Sequence, residues 1–248
     1  MRFDLVVGVM LANACHTPLE ELDGAYYAWD DRAVHCSVEI DDRAGVSIEQ
    51  ILAGMDRAKQ TGEVLELLVH IPGETMTLDR LEAVLAGARE RSLPFLTVTE
   101  ILRGPAMAGV AIMYDDWRTL EWVDSMDTLA EYDAHVTLYI AHYAVMQPEA
   151  KQRVALLAAA GHDIEAHGVK HLRGPTYVEQ HGVRAYVEEE ALPSIDVLRA
   201  DGYEVLSYAY PFGMRTSEMD DAILDTGSVE MLRSLARTYQ WRADSCPH

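Results

Sequence analysis

Residues 109–116 read GVAIMYDD, six residues without charge followed by two carboxylates. An apolar run this short, containing Val, Ile and Tyr, is the mark of a strand buried on both faces, as parallel sheets require. Amphipathic stretches lie on either side of it. LDRLEAVLAGARERS (78–92) precedes it and RTLEWVDSMDTLAEY (118–132) follows, both with apolar residues three and four apart. A buried strand between two helices is one repeat of an α/β domain.

The alternation extends outward in both directions. Further strands are expected at FDLVVGVM (3–10), AVHCSVEI (33–40), VLELLVHI (64–71), FLTVTEI (95–101), HVTLYI (135–140), HDIEAH (162–167) and EVLSYAYP (204–211). Further helices are expected over 47–60, 148–161, 183–202 and 228–240. Pro148 suits a first turn, Gly161 and Gly202 suit helix ends, and Pro193 should kink or split its helix. No linker or repeat divides residues 1–248. The pattern therefore predicts a single α/β domain: a closed (β/α) barrel of seven or eight strands, with an open doubly wound sheet as the alternative. A barrel gathers catalytic residues at the C-terminal ends of its strands.

Composition narrows the partners. A net charge of −21 over 248 residues disfavours nucleic acid, whose phosphates attract Lys and Arg. No stretch approaches the roughly 20 apolar residues of a membrane span. Nothing in the sequence fixes the oligomeric state. Cys15, Cys36 and Cys246 are too few and too scattered for a disulfide framework, and no C-x-x-C pair suggests a cysteine zinc site. The N-terminus has two readings. LVVGVML followed by Ala12-Asn13-Ala14 mimics a signal peptide, which would send the protein to the periplasm or beyond; Asp4 and the brevity of the apolar run suit a buried strand, which favours the cytoplasm.

The expected strand ends carry chemistry. One strand ends in Asp115 and Asp116, another in His167 with His171 one helical turn beyond, a third in His70, and a fourth in Pro211-Phe212-Gly213. One carboxylate and two imidazoles are a common ligand set for a divalent ion with an open position. Because side chains alternate along a strand, only one of Asp115 and Asp116 should face such an ion, leaving the other as a general base. A further histidine is then free to protonate a leaving group. Taken singly, an H-x-x-x-H pair, an Asp-Asp pair and a strand histidine each have ordinary structural explanations; their shared rim joins them.

These segments resemble the polysaccharide deacetylases, the NodB-homology group of carbohydrate esterase family 4. GVAIMYDD resembles the family's T-F-D-D strand, and AAAGHDIEAHGVKHL its G-H-E-I-x-N-H-[ST]-x-x-H segment. SYAYPFG resembles the R-x-P-Y turn, and LELLVHI with the helix after it resembles the closing L-x-H unit. The resemblance implies a distorted NodB-like barrel with Asp115 as base, and Asp116, His167 and His171 as metal ligands, with Zn2+ the default ion. It implies His70 as acid beside Leu68, and Phe212 as an oxyanion-binding amide flanked by Pro211 and Tyr210. Here the L-x-H unit precedes the D-D strand, so the chain reads as circularly permuted, its first strands filling the place after residue 240.

Three departures stand out. Gly168 replaces the Ser/Thr after the first histidine, Ala209 replaces the Arg that would pair with the base, and no Trp matches the D-x-x-D-W element; Asp41 and Asp42 end an expected strand, and nothing in the sequence fixes their role. His142 is a substrate contact or a bystander. Tyr114, Trp117, Tyr177 and Tyr210 either stack on a sugar or pack. Glu188, Glu189 and Glu190 read as a solvated helix face, and His162 as a cap. The expected function is metal-dependent removal of an N-acetyl (or O-acetyl) group from a carbohydrate. The alternatives are a related amidohydrolase acting on a small non-sugar amide and an inactive barrel serving as a binding module.

Overall fold

The computed structural model describes residues 22–236 and Cys246, so the strand expected at 3–10 lies outside the described residues. Seven parallel strands form the centre: β2 (Val34–Glu39), β3 (Val64–Val69), β4 (Gly109–Asp116), β5 (Thr137–Ile140), β6 (Asp163–Ala166), β7 (Ser207–Ala209) and β8 (Met231–Leu235). Each pairs with the next, and β8 pairs with β2, which closes a barrel. A two-residue β1 (Tyr26–Tyr27) runs antiparallel along the start of β3. The open-sheet alternative is thereby overturned. The strand bearing Leu68 precedes β4 in the chain, yet it adjoins β4 in the ring.

Alternation along each strand divides the core. Outward residues such as Val38, Leu67, Ile112, Tyr114, Leu138, Ile164, Tyr208 and Leu232 form one large apolar cluster beneath the helices. Inward residues such as Leu68, Met113, Tyr139, Ala209 and Met231 form a second cluster inside the barrel. Polar groups fill the remaining lumen in pairs. His35 Nδ1 meets Glu66 Oε1 at 2.7 Å, and Glu165 accepts the amides of Leu206 and Ser207 at 2.9 and 2.6 Å.

Several expected elements differ. Of FLTVTEI only Phe95 makes a bridge, to Val110, before a helix runs over Val98–Arg103. A capping box starts that helix: Thr97 Oγ1 accepts from the Glu100 amide, and the Glu100 carboxylate accepts from the Thr97 amide. This reciprocal pair outweighs the β preference of Val98, Thr99 and Ile101. Within the helix expected over 228–240, the strand β8 (Met231–Leu235) stands instead, and 237–240 lie outside the described residues. Ring closure between β7 and β2 overrides its helical spacing. The 118–132 helix breaks at Ser125, whose Oγ donates back to the Trp122 carbonyl at 2.8 Å. Pro193 lies just after a π-helical turn, Val187–Ala191, that interrupts the 183–202 helix.

Contrary to the reading of the cysteines, Cys36 on β2 and Cys246 form a disulfide across 210 residues of sequence. Closing so long a loop restricts the unfolded chain. Reduction, or Cys36→Ala, is expected to cost about 2–4 kcal/mol and to lower the thermal midpoint measured by circular dichroism. A midpoint insensitive to reductant would show that the bond contributes nothing.

Candidate active site

Parallel strands put all their C-terminal ends on one rim. There Leu68, His70, Asp115, Asp116, His167, His171, Phe212, Gly213 and Leu235 enclose a cleft of about 90 Å³. A cavity of about 10–15 Å³ already holds a water, so the cleft has room for a small group.

Three of these residues converge. His171 Nε2 lies 3.2 Å from Asp116 Oδ1 and 3.3 Å from His167 Nε2, and His167 Nε2 lies 3.9 Å from Asp116 Oδ1. Ligands bonded at about 2.0–2.1 Å around a tetrahedral ion are about 3.3 Å apart. His167 Nδ1 donates to the Ala209 carbonyl at 2.9 Å, which leaves the Nε2 lone pair aimed into the cleft. Burial pushes His167 down to about 4, so its imidazole is neutral at pH 7. Burial alone would raise Asp116, but the hydrogen bond from His171 and the other histidines around it hold it at about 2. Two imidazole nitrogens and an ionised carboxylate aimed at one point form a donor set that fits a divalent cation.

Strict alternation fails at the end of β4. Asp116 has φ +91°, and this turn of the backbone lets both carboxylates reach the cleft. Among the described residues, four of the eight non-glycine positions with positive φ are Asp116, His142, His171 and Phe212. Such strain collects where the surrounding fold dictates a side chain's position.

Asp115 Oδ2 faces His167 Nε2 at 3.5 Å, and Asp115 Oδ1 accepts from Arg233 Nη2. Arg233 is fully buried, with its guanidinium 4.8 Å from the Tyr139 ring centre. It lies in register with Ala209 on the neighbouring strand. The arginine missing at 209 is therefore supplied from β8, and the sequence reading missed it by taking that segment for a helix.

On the other side of the cleft, His70 Nδ1 donates to Asp41 Oδ2 at 2.7 Å, and the His70 amide reaches Asp41 Oδ1 at 3.3 Å. Trp122 Nε1 donates to the His70 carbonyl at 2.9 Å. Burial alone would lower His70, but Asp41, Asp115 and Asp116 raise it to about 9. Asp41, whose role the sequence left open, thus keeps His70 protonated at neutral pH.

Other expectations separate. Tyr210 turns away from the cleft: its buried hydroxyl donates to Asp220 Oδ1 at 2.8 Å. Pro211 is buried behind the loop that starts at Gly168. Phe212 is 40% exposed with its ring 4.6 Å from that of His171, and Trp117, 44% exposed, meets His142 and His171 edge-on. Tyr114 is buried, and Tyr177 donates to Glu189. His142 Nδ1 donates to the Val169 carbonyl, and His162 Nδ1 accepts from the Val136 amide. Glu188 and Glu189 face solvent as expected, but Glu190 is fully buried.

A closed parallel barrel with a carboxylate and histidine cluster on its C-terminal rim has the build of a barrel enzyme, whose active site lies on that face. The polysaccharide deacetylase family model matches residues 105–230, just over half of the sequence, and the chain belongs to that family. The matched span holds Asp115, Asp116, His167, His171 and Phe212, while Asp41, His70 and Arg233 lie outside it. Among solved structures, the chain is similar to the Streptococcus pyogenes deacetylase PplD, solved in complex with acetate. The two are 20% identical, with 64% of this chain and 78% of that one covered and a TM-score of 0.55. A looser likeness is to IcaB from Ammonifex degensii, 16% identical over 83% of this chain and 82% of that one, with a TM-score of 0.47. No curated protein matches the sequence.

Removing one partner of a buried ion pair leaves an uncompensated charge. Arg233→Met is expected to cost about 3–5 kcal/mol in urea unfolding, with part of the loss recovered by adding Asp115→Asn. Unchanged stability would mean that the pair does not form. The His70 imidazole should titrate near pH 9 by NMR, and Asp41→Asn should bring it down. Because its folded value is raised, the His70–Asp41 contact stabilises fully below the ordinary histidine value of 6.5 and is lost as pH rises through about 9.

Proposed function

We propose that the protein is a metal-dependent deacetylase that hydrolyses an acetyl group, foremost an N-acetyl group, on a carbohydrate. The convergence of Asp116, His167 and His171 beside Asp115 carries the reading. A divalent ion held by those three residues, zinc by default, supplies Lewis acidity toward water and the acyl oxygen.

The chain's own groups account for the proton movements. Asp115, aligned by Arg233, takes a proton from the attacking water through Oδ2, the oxygen that faces the cleft. His70, kept charged by Asp41, gives a proton to the departing amine. The Phe212 amide donates to the oxygen on which negative charge develops. Trp117 and Phe212, both partly exposed at the mouth, offer ring faces to the sugar that remains outside the cleft. The two supported partners, Arg233 behind the base and Asp41 behind the acid, favour an active enzyme over a binding module. Residues 22–236 and Cys246 are proposed to act as part of one domain, and the Cys36–Cys246 disulfide favours an oxidising compartment.

The test is metal content together with acetate release from chito-oligosaccharides, acetylated xylan, peptidoglycan fragments and acetylated small amines. Asp116→Ala is expected to lose metal and activity together. Asp115→Asn is expected to keep the metal and lose about 10²–10⁴-fold in turnover. A purified protein without divalent metal whose activity survives Asp116→Ala would overturn the proposal, and activity confined to the small amines would replace the sugar by a simple amide.

A further inference from the structure

Gly168 removes a hydroxyl next to His167 and so leaves the loop to His171 without a side-chain brace of its own. The space is not empty. Gly168 has φ +87°, and a Cβ there would overlap Glu190 Oε1 and lie 3.3 Å from Pro211 Cγ. Glu190 Oε2 accepts from the Lys170 amide at 2.8 Å, and Oε1 accepts from the Leu172 amide at 2.9 Å. Its own carbonyl faces the Val169 amide at 3.4 Å. Both backbone donors flanking His171 thus end on one fully buried carboxylate.

The backbone that carries Glu190 is unusual in the same place. It lies in the π-helical turn Val187–Ala191, where the Leu192 amide bonds to the Val187 carbonyl. Pro193 follows, with no amide to continue a regular ladder. Wide turns of this kind recur where a helix must redirect a side chain toward a functional site. On the opposite side of the loop, His142 donates through its amide to the Gly168 carbonyl at 3.1 Å and through Nδ1 to the Val169 carbonyl at 3.0 Å. The loop is clamped from two sides, and the Glu190 side acts on the two residues adjacent to His171.

We infer that Glu190 is the positioning residue of the metal cluster: its carboxylate occupies the space opened by Gly168 and sets the place of His171 through the amides on either side. This rests on the metal-binding reading above. Glu190→Gln keeps the shape but turns an NH2 donor toward one of the two amides, and Glu190→Ala removes the brace. Gly168→Ala forces the carboxylate out of its space.

Two measurements test this. Competition with a chelator is expected to show metal affinity weakened about 10- to 100-fold in Glu190→Gln, and hydrogen exchange of the metal-free protein is expected to show Lys170 and Leu172 amides losing protection while those of β4 keep theirs. Because part of the Gly168→Ala loss comes through the Glu190 carboxylate, the double variant should lose less than the sum of the two single ones. Unchanged affinity and exchange in Glu190→Gln would overturn the inference, as would additive losses. A wild-type protein that binds no divalent metal would sink the underlying reading, and the exchange of Lys170 and Leu172 would still decide the brace.

Discussion

The ion pair between Arg233 and Asp115 sits inside the barrel, where neither charge can be left alone. A buried guanidinium or carboxylate costs several kcal/mol unless it is matched, and Arg233 has no acceptor for Nε or Nη1 among the described residues. Its compensation is concentrated in Asp115 and the Tyr139 ring. The pair joins β4 to β8 across the lumen, between segments more than a hundred residues apart. Correct closure of the ring and correct aim of the proposed base are therefore the same structural event. A register slip of one residue in β8 would turn Arg233 to the outer face and leave Asp115 unmatched.

What could be read from the sequence follows from this arrangement. GVAIMYDD, DIEAH and VLELLVH are legible because an apolar run ending in a polar residue reports both the strand and its functional end. That both carboxylates reach the cleft was not legible: it depends on the positive φ of Asp116, which no local composition announces. SVEMLRSLARTYQ was misread because its apolar residues also satisfy helical spacing, and the loss of that strand hid Arg233. FLTVTEI was misread in the opposite direction, since β-branched residues masked the Thr97–Glu100 box. Glu190 was hidden by its neighbours, for among three consecutive glutamates only the backbone geometry of the π-helical turn decides which one is buried.

Two of the three departures, Ala209 and Gly168, have partners nearby in space and far away in sequence. Ala209 lies in register with Arg233, which pairs with Asp115, and the bare Gly168 leaves room for the Glu190 carboxylate. In each case the small residue has a longer side chain from another element as its neighbour. In a closed parallel barrel every strand presents a residue at each level of the axis, so a charge can move to the adjacent strand without leaving the site. Such an exchange requires the vacated position to be small. A lost motif residue is thus weak grounds for inactivity unless the neighbouring strands are read at the same level.

The same geometry explains why the order of the motifs matters so little. His70 and Asp41 come before β4 in the chain, but β2 and β3 lie between β8 and β4 in the ring, so the proposed acid faces the proposed base across one narrow cleft. Parallel pairing fixes which end of a strand faces the rim, whatever its rank along the chain. What must be preserved is the level of each residue and the partner that fixes its charge: Arg233 for Asp115, Asp41 for His70, and the Ala209 carbonyl for His167. These three supports come from β8, from the end of β2 and from β7, and each reaches a side chain of the proposed site on a different strand. The proposed chemistry depends on ring closure more than on any single motif.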